Sequence, residues 1–191
     1  ANVSKGYKAG SFATVAAASF AAYDPVTQES LLDYEAGFKA TLADGALMVN
    51  GAFAYYDYKD KQLRAKFVDP VFGLLDRLIN VPKSEIKSAE LEVIARPNSQ
   101  LTITASATYL DAKIKEYVGT VGIGTDPDTG FRIPVTADFN GVKLPYSPKF
   151  QFTARVDYNF PLTDTFEGIV GLGASGQSKS ISILTLVPAE Q

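Results

Sequence analysis

The stretch at residues 31–58 alternates between apolar and polar side chains. In its first half, Leu32, Tyr34, Ala36, Phe38, Ala40 and Leu42 occupy the even positions, and Asp33, Glu35, Gly37, Lys39 and Thr41 occupy the odd positions. Successive side chains of a β-strand point to opposite faces, so this half predicts a strand with one apolar and one polar face. Asp44 and Gly45 tolerate positive φ, which predicts a tight hairpin turn into a second alternating strand. Each strand is long enough to cross a bilayer at a tilt, which takes about 9–11 residues.

The same alternation recurs along the rest of the chain, at residues 2–10, 84–96, 101–109, 150–160 and 166–178. Short connections at 43–46, 97–100 and 162–165 alternate along the chain with long ones at 11–30, 60–84 and 111–148. This rhythm is typical of outer-membrane barrels, in which one rim carries tight turns and the other carries loops. It predicts an all-β fold, an antiparallel up-and-down meander of about seven or eight long strands. The alternation also resumes through Leu63, Ala65 and Phe67, so the second strand is expected to rise well above a membrane surface.

Aromatic side chains lie near the ends of the predicted strands. They are Tyr34, Tyr55, Tyr109, Phe150, Tyr158, Phe160 and Phe166. Tyr and other aromatic residues are enriched at both interfaces of a membrane, where they form girdles around a barrel. Their placement therefore favours strands that span a bilayer.

Composition narrows the possible functions. The chain of 191 residues has 18 basic and 21 acidic residues and a net charge of -3, which is not the electrostatic footprint of a nucleic-acid-binding protein. It contains no Cys and no His, so it lacks thiolate chemistry, the commonest metal ligand and the usual general base near neutral pH. These absences argue against an enzyme, and no motif indicates a cofactor.

Three short motifs have a chemical interpretation and a simpler one. Residues 119–124, Gly-Thr-Val-Gly-Ile-Gly, lack the flanking elements and the Gly-Lys-Ser/Thr of phosphate loops. Residues 126–130, Asp-Pro-Asp-Thr-Gly, resemble part of a calcium loop, but turn chemistry explains them better. Glu90 and Glu92 lie two apart on one strand face, an arrangement compatible with an acid–base pair, yet a solvated polar face is the favoured interpretation.

Four blocks of the sequence resemble a known family. They are SKGYKAG at residues 4–10, LLDYEAGFKATLADGALMVNGAFAYYDYKDKQ at 31–62, NVPKSEIKSAELEV at 80–93 and DFNGVKLPYSPKFQFTARVDYNF at 138–160. In this order and spacing they resemble the C-terminal part of the barrel of TonB-dependent outer-membrane receptors. The block at 31–62 is the most specific, and Ser88 stands where the family more often has Gly.

The resemblance implies a segment of a transmembrane barrel of about 22 strands closed by an N-terminal plug. Residues 1–191 would then be a partial receptor barrel without the plug domain. Residues 180–191 form an atypical tail, because the final segment 187–191 lacks the terminal aromatic residue of the family. The chain is therefore expected to be a fragment of a larger receptor.

The resemblance also implies active uptake of a scarce nutrient across the bacterial outer membrane, most often a ferric siderophore, with cobalamin and glycans as the other usual cargoes. The expected partners are outer-membrane lipid, the cargo, and TonB through the plug region that is absent here. No residue makes or breaks bonds in this scheme, so no enzymatic activity is expected. The lumen-facing candidates, taken from the polar face of the strands, are Asp33, Glu35, Lys39, Glu90, Glu92, Arg155 and Asp157.

Two other functional classes are consistent with parts of the pattern. A soluble secreted β-sandwich that serves as a binding or adhesion module would show the same alternation strand by strand. An enzyme on a β scaffold is the least favoured, since no catalytic motif converges. Strand length, the asymmetry of the loops and the four blocks favour the transporter barrel over the sandwich.

Overall fold

A computed structural model describes residues 1–12, 23–69, 71–184 and 186 of the chain. Within these residues the strands are β1 (Asn2–Lys8), β2 (Glu29–Leu42), β3 (Leu47–Asp69), β4 (Gly73–Ala95), β5 (Leu101–Glu116), β6 (Val118–Thr125), β7 (Arg132–Asp138), β8 (Phe150–Pro161) and β9 (Glu167–Gln177). No helix in the described part of the chain is long and apolar enough to cross a bilayer. The atypical end of the tail, residues 187–191, lies outside the described residues.

Seven of these strands form one antiparallel sheet in the order β1-β2-β3-β4-β5-β8-β9. This arrangement confirms the predicted all-β meander. Among the described residues, the strands β6 and β7 pair only with each other, in a separate two-stranded hairpin. They lie within residues 111–148, where the sequence predicts a long connection because Gly and Pro residues interrupt the apolar pattern. The predicted long link at 60–84 likewise belongs mostly to β3 and β4, each of which is 23 residues long.

The tight turns explain why the sheet folds back at one rim. Ala43, Asp44 and Gly45 all adopt positive φ, and the Ala46 amide donates to the Ala43 carbonyl at 2.9 Å. In the second turn, the Asn98 side chain accepts hydrogen bonds from the amides of Gln100 and Leu101 at 3.0 and 2.9 Å. Such local side-chain bonds replace the ladder where the chain reverses, which fixes the register of the strands that follow.

The register gives the sheet an apolar face that continues from strand to strand. One row across it contains Ala40, Val49, Val93, Ala105 and Ala154. Large side chains of this face are exposed, among them Phe53 at 61% and Leu172 at 78%. A β-sandwich would cover such a face with a second sheet, but over the described residues this face is left open, as a lipid-facing surface is.

In the upper hairpin, residues 60–83, the apolar side chains change to the opposite face of the sheet. Asp60 has a φ of 53°, and regular pairing skips from Lys59–Lys83 to Lys61–Val81, since Pro82 has no amide hydrogen to donate. Above this point Ala65 and Val81 pack with Ala112 and Ile114, which belong to the polar-face side of β5. The apolar side chains of the strands therefore point outward below Asp60 and inward above it.

This inward packing produces the upper core, a hydrophobic cluster beyond the apolar band. Its buried members are Ala65, Val81, Ala112, Ile114, Phe139, Leu144 and Leu184. Tyr117 packs on Phe139 with ring centroids 5.3 Å apart, and the β6–β7 hairpin contacts β3 and β4 nearby. The part of the molecule on the long-loop side is thus stabilised by ordinary water-excluding packing.

Candidate functional site

All seven candidate residues from the sequence lie on the face opposite the apolar one, here called the polar face. The pairing of strands carries this face across the sheet, with Lys39 opposite Asn50 and Asn50 opposite Glu92. In the same way Glu35 lies opposite Ala54 on the neighbouring strand. The alternation that suggested these residues therefore predicts their common face.

Four of the candidates surround one hollow in the polar face. The hollow has a volume of 630 Å³, and its polar lining consists of Glu35, Lys39, Asn50, Glu90, Glu92, Ser106 and Thr108. The Asn50 amide donates to the Glu92 carboxylate at 2.9 Å. Ser106 bonds to Thr153 on β8 at 2.7 Å. Mixed charges and hydroxyl groups make this a hydrated surface rather than a dry core.

The other three candidates do not join the hollow. Arg155 and Asp157 form a two-pronged ion pair on β8, at 2.7 and 2.8 Å. Gly171 on β9 makes room for this pair, because a Cβ there would lie 2.5 Å from the Asp157 carboxylate. Asp33 lies beside Tyr56 on β3 and accepts a hydrogen bond from Ser4 at 3.2 Å.

Aromatic side chains border the apolar face. On the long-loop side Tyr34 and Tyr55 are paired neighbours with ring centroids 6.2 Å apart. Tyr109 and Phe150 are likewise opposite each other, and both are more than 40% exposed. On the tight-turn side Tyr158 and Phe160 lie with centroids 6.2 Å apart. These borders have the placement of interfacial girdles.

A buried polar network on the long-loop side was not foreseen from the sequence. Glu29 is 6% exposed and accepts hydrogen bonds from the Gln62 amide at 2.6 Å and the Tyr58 hydroxyl at 3.3 Å. The Asn80 side chain bonds to both Thr27 and Asp60. Burial lowers the pKa of Lys61, although the Glu29 charge acts in the opposite direction. A polar residue in a long connection gives no sequence signal of such burial.

A second pocket, the upper pocket, lies beside the upper hairpin and was also missed. It has a volume of 330 Å³ and includes Asp24, Lys66, Phe67, Arg77, Asn80 and Tyr117 in its lining. The Arg77 guanidinium lies 5.2 Å from the Phe67 ring centre and pairs with Asp24 at 3.0 Å. Burial raises the pKa of Tyr117, and the charge of Arg77 opposes that effect. The pocket therefore combines a guanidinium stacked on one aromatic ring, a carboxylate that pairs with it and a second aromatic ring in the lining.

The two acidic motifs lie in a hydrogen-bonded turn and in the hollow of the polar face. The Asp126 carboxylate accepts hydrogen bonds from the amides of Asp128 and Thr129 at 2.9 and 3.1 Å, which is the geometry of a side-chain-capped turn. These two amides lower the pKa of Asp126. Glu90 and Glu92 line the hydrated hollow. In the residues that the structure describes, no group of three or more metal-ligating side chains comes together.

Comparison with known proteins decides the family. The family model for the TonB dependent receptor-like β-barrel matches residues 1–181. The chain belongs to this family. No solved structure matches it.

Membership of this family gives the cellular location of the sheet and the orientation of its two rims. The receptor barrel lies in the bacterial outer membrane and takes part in TonB-dependent transport. The family is one of transporters and receptors and is not an enzyme class. Such barrels have short periplasmic turns and longer extracellular loops, so the upper core and the upper pocket belong to the extracellular side.

Proposed function

We propose that this chain forms part of the wall of an active transporter that imports a ferric siderophore. In this proposal Asp33, Glu35, Lys39, Glu90, Glu92, Arg155 and Asp157 face the water-filled lumen. The two-faced sheet carries the proposal, because its open apolar face suits lipid and its polar hollow suits a hydrated interior. TonB would act through a plug domain in another part of the receptor, because the matched residues 1–181 are barrel.

The upper pocket supports a ferric siderophore as the cargo. A siderophore holds iron through anionic oxygen atoms, and many siderophores carry aromatic rings. Lys66 and Arg77 are the cations of the pocket; they form ion pairs with Asp76 at 2.8 Å and Asp24 at 3.0 Å, so an anionic chelate would compete with these two carboxylates. Phe67 and Tyr117 are the aromatic residues in the lining. Cobalamin and glycans, the other usual cargoes of the family, lack this combination of several anionic donors.

Uptake by energised cells tests the cargo. Cells that make the whole receptor should accumulate radioactive iron from a ferric catecholate or hydroxamate in a saturable manner, and a protonophore should stop it. Labelled cobalamin and a labelled malto-oligosaccharide serve as competing cargoes. Saturable uptake of either of these with no uptake of iron would show that the siderophore assignment is wrong.

A substitution then tests the upper pocket. Arg77→Gln should raise the apparent KM for the chelate about tenfold, because charge-assisted hydrogen bonds are among the stronger polar contacts. Arg64→Gln is the matched control. Arg64 lies on β3 opposite Leu78, the neighbour of Arg77, and it is exposed and does not line the pocket. Equal KM values for the two variants would remove Arg77 from the binding site.

A further inference from the structure

A small crevice beside β5 holds an excess of positive charge. It has a volume of 140 Å³ and is lined by Leu110, Asp111, Ala112, Lys113, Lys143, Ser147 and Lys149. It forms where residues 142–149 run along β5, with the Leu144 amide donating to Ala112 at 3.0 Å and the Leu110 amide donating to Lys149 at 2.9 Å. Three ammonium groups therefore share a space about large enough for one small anionic group.

The charges around the crevice do not cancel. Lys113 pairs with Asp111 at 2.9 Å, and on the neighbouring strand Lys87 pairs with Glu85 at 2.9 Å. Among the described residues no carboxylate forms an ion pair with Lys143 or Lys149. Two positive charges are thus left over after local pairing.

The position of the crevice relative to the membrane indicates which ligand these lysines can contact. Lys149 lies over the Tyr109 ring, 5.5 Å from its centre, and Tyr109 stands opposite Phe150 on the apolar face. This aromatic border marks the level of the lipid headgroups on the extracellular side. A cationic crevice immediately above it lies at the depth of lipid phosphate groups.

We propose that Lys113, Lys143 and Lys149 bind a phosphate group of a lipid in the outer leaflet. Charge complementarity and position argue for this occupant, because Lys149 lies over the ring of Tyr109, which is exposed at the aromatic border of the apolar face. The inference rests on the outer-membrane location of the family and does not depend on which cargo is transported.

Lipid retention tests the proposal. The whole receptor, with and without Lys143→Gln/Lys149→Gln, is incubated in detergent with lipid A that carries its phosphates, and bound lipid is counted by native mass spectrometry. Affinity should fall about tenfold in the double variant, since each basic residue at a membrane surface changes affinity for anionic lipid several-fold. Lipid A stripped of phosphate should bind the two proteins equally.

Two controls make the outcome decisive. Lys8→Gln/Lys39→Gln removes the same charge from the polar-face side and should bind lipid A like the unmodified receptor. Heat-dependent gel mobility shows whether each variant is a folded barrel. The proposal is wrong if the crevice variant and the unmodified receptor bind lipid A equally, or if inorganic phosphate displaces the lipid at equal concentration, which would indicate a site for the free ion.

Discussion

Single residues of the β6–β7 turn hold it together through local hydrogen bonds. The Asp126 carboxylate accepts hydrogen bonds from the amides of Asp128 and Thr129 at 2.9 and 3.1 Å, which close the turn. The charge pattern of this segment was ambiguous in the sequence, since a turn and a partial calcium loop use the same residues. The hydrogen bonds in the structure favour the turn.

This turn should loosen in acid. The amides hold the pKa of Asp126 below its ordinary value of 3.8, so the stabilisation is complete above that pH and is lost as the pH falls through the lowered pKa. Hydrogen exchange at the Asp128 and Thr129 amides should therefore lose protection in that window. Asp126→Asn keeps the acceptor oxygen without the charge, and its exchange should show no such step. An identical acid step in Asp126→Asn would mean that another group controls the turn.

At the scale of elements, alternation predicts most of the sheet but cannot reveal the reversal at Asp60. The apolar residues of β3 are odd-numbered both from Leu47 to Tyr55 and, after a polar stretch, from Leu63 to Phe67, so their numbering gives no sign of a change of face. Only the clustering of Ala65 with Ala112 and Ile114 shows that the upper part points the other way. Likewise the polar face followed from alternation, whereas the gathering of four candidates in one hollow depends on a register that tertiary pairing sets.

The reversal should depend on the left-handed conformation of Asp60. A β-branched residue is strained at a φ of 53°, so Asp60→Val should destabilise the upper hairpin by about 1–2 kcal/mol. Hydrogen exchange in residues 61–69 and 73–81 should accelerate, while residues 47–57 keep their protection. Asp60→Gly, which relieves the steric conflict, is the control and should leave the upper hairpin protected. Equal exchange in the two variants would show that the conformation of Asp60 does not hold the hairpin.

The two faces of β5 should respond oppositely to charge at the middle of the membrane. Ala105 lies on the apolar face between Val93 and Ala154, and Ser106 lies on the polar face between Glu92 and Thr153. Ala105→Arg should destabilise the folded receptor by about 2–4 kcal/mol, the cost of an arginine facing lipid at mid-depth.

Ser106→Arg is the matched control, since it adds the same side chain one residue away. The new arginine would lie beside Glu92, and the hydrogen bond from residue 106 to Thr153 would be lost. The folded receptor should therefore lose about 1 kcal/mol of stability or less. Urea titration of the receptor in lipid vesicles measures both. Equal costs would contradict the assignment of lipid and water to the two faces.

At the scale of the whole molecule, the sheet has two ends. In the described residues β1 pairs only with β2, and β9 pairs only with β8, so each leaves a row of backbone groups without a strand partner. In lipid every unpaired backbone group costs free energy, which is why spanning sheets close into barrels. The seven strands of this sheet are therefore one part of a wall that needs further strands to close.

The 191 residues alone should consequently not transport. Reconstituted by themselves into vesicles, they should show no saturable uptake of a ferric siderophore, whereas vesicles with the whole receptor should bind the same chelate at their outer surface. Circular dichroism establishes that the short chain contains strands, which separates failure to close from failure to fold.

Saturable, energised uptake by the short chain would contradict the requirement for further strands, because it would mean that the edges of β1 and β9 find partners in each other or in a second copy. Crosslinking through cysteines introduced at Val3 and Leu172 would then distinguish these two closures, since closure within one chain gives a crosslinked monomer and closure between copies gives a dimer.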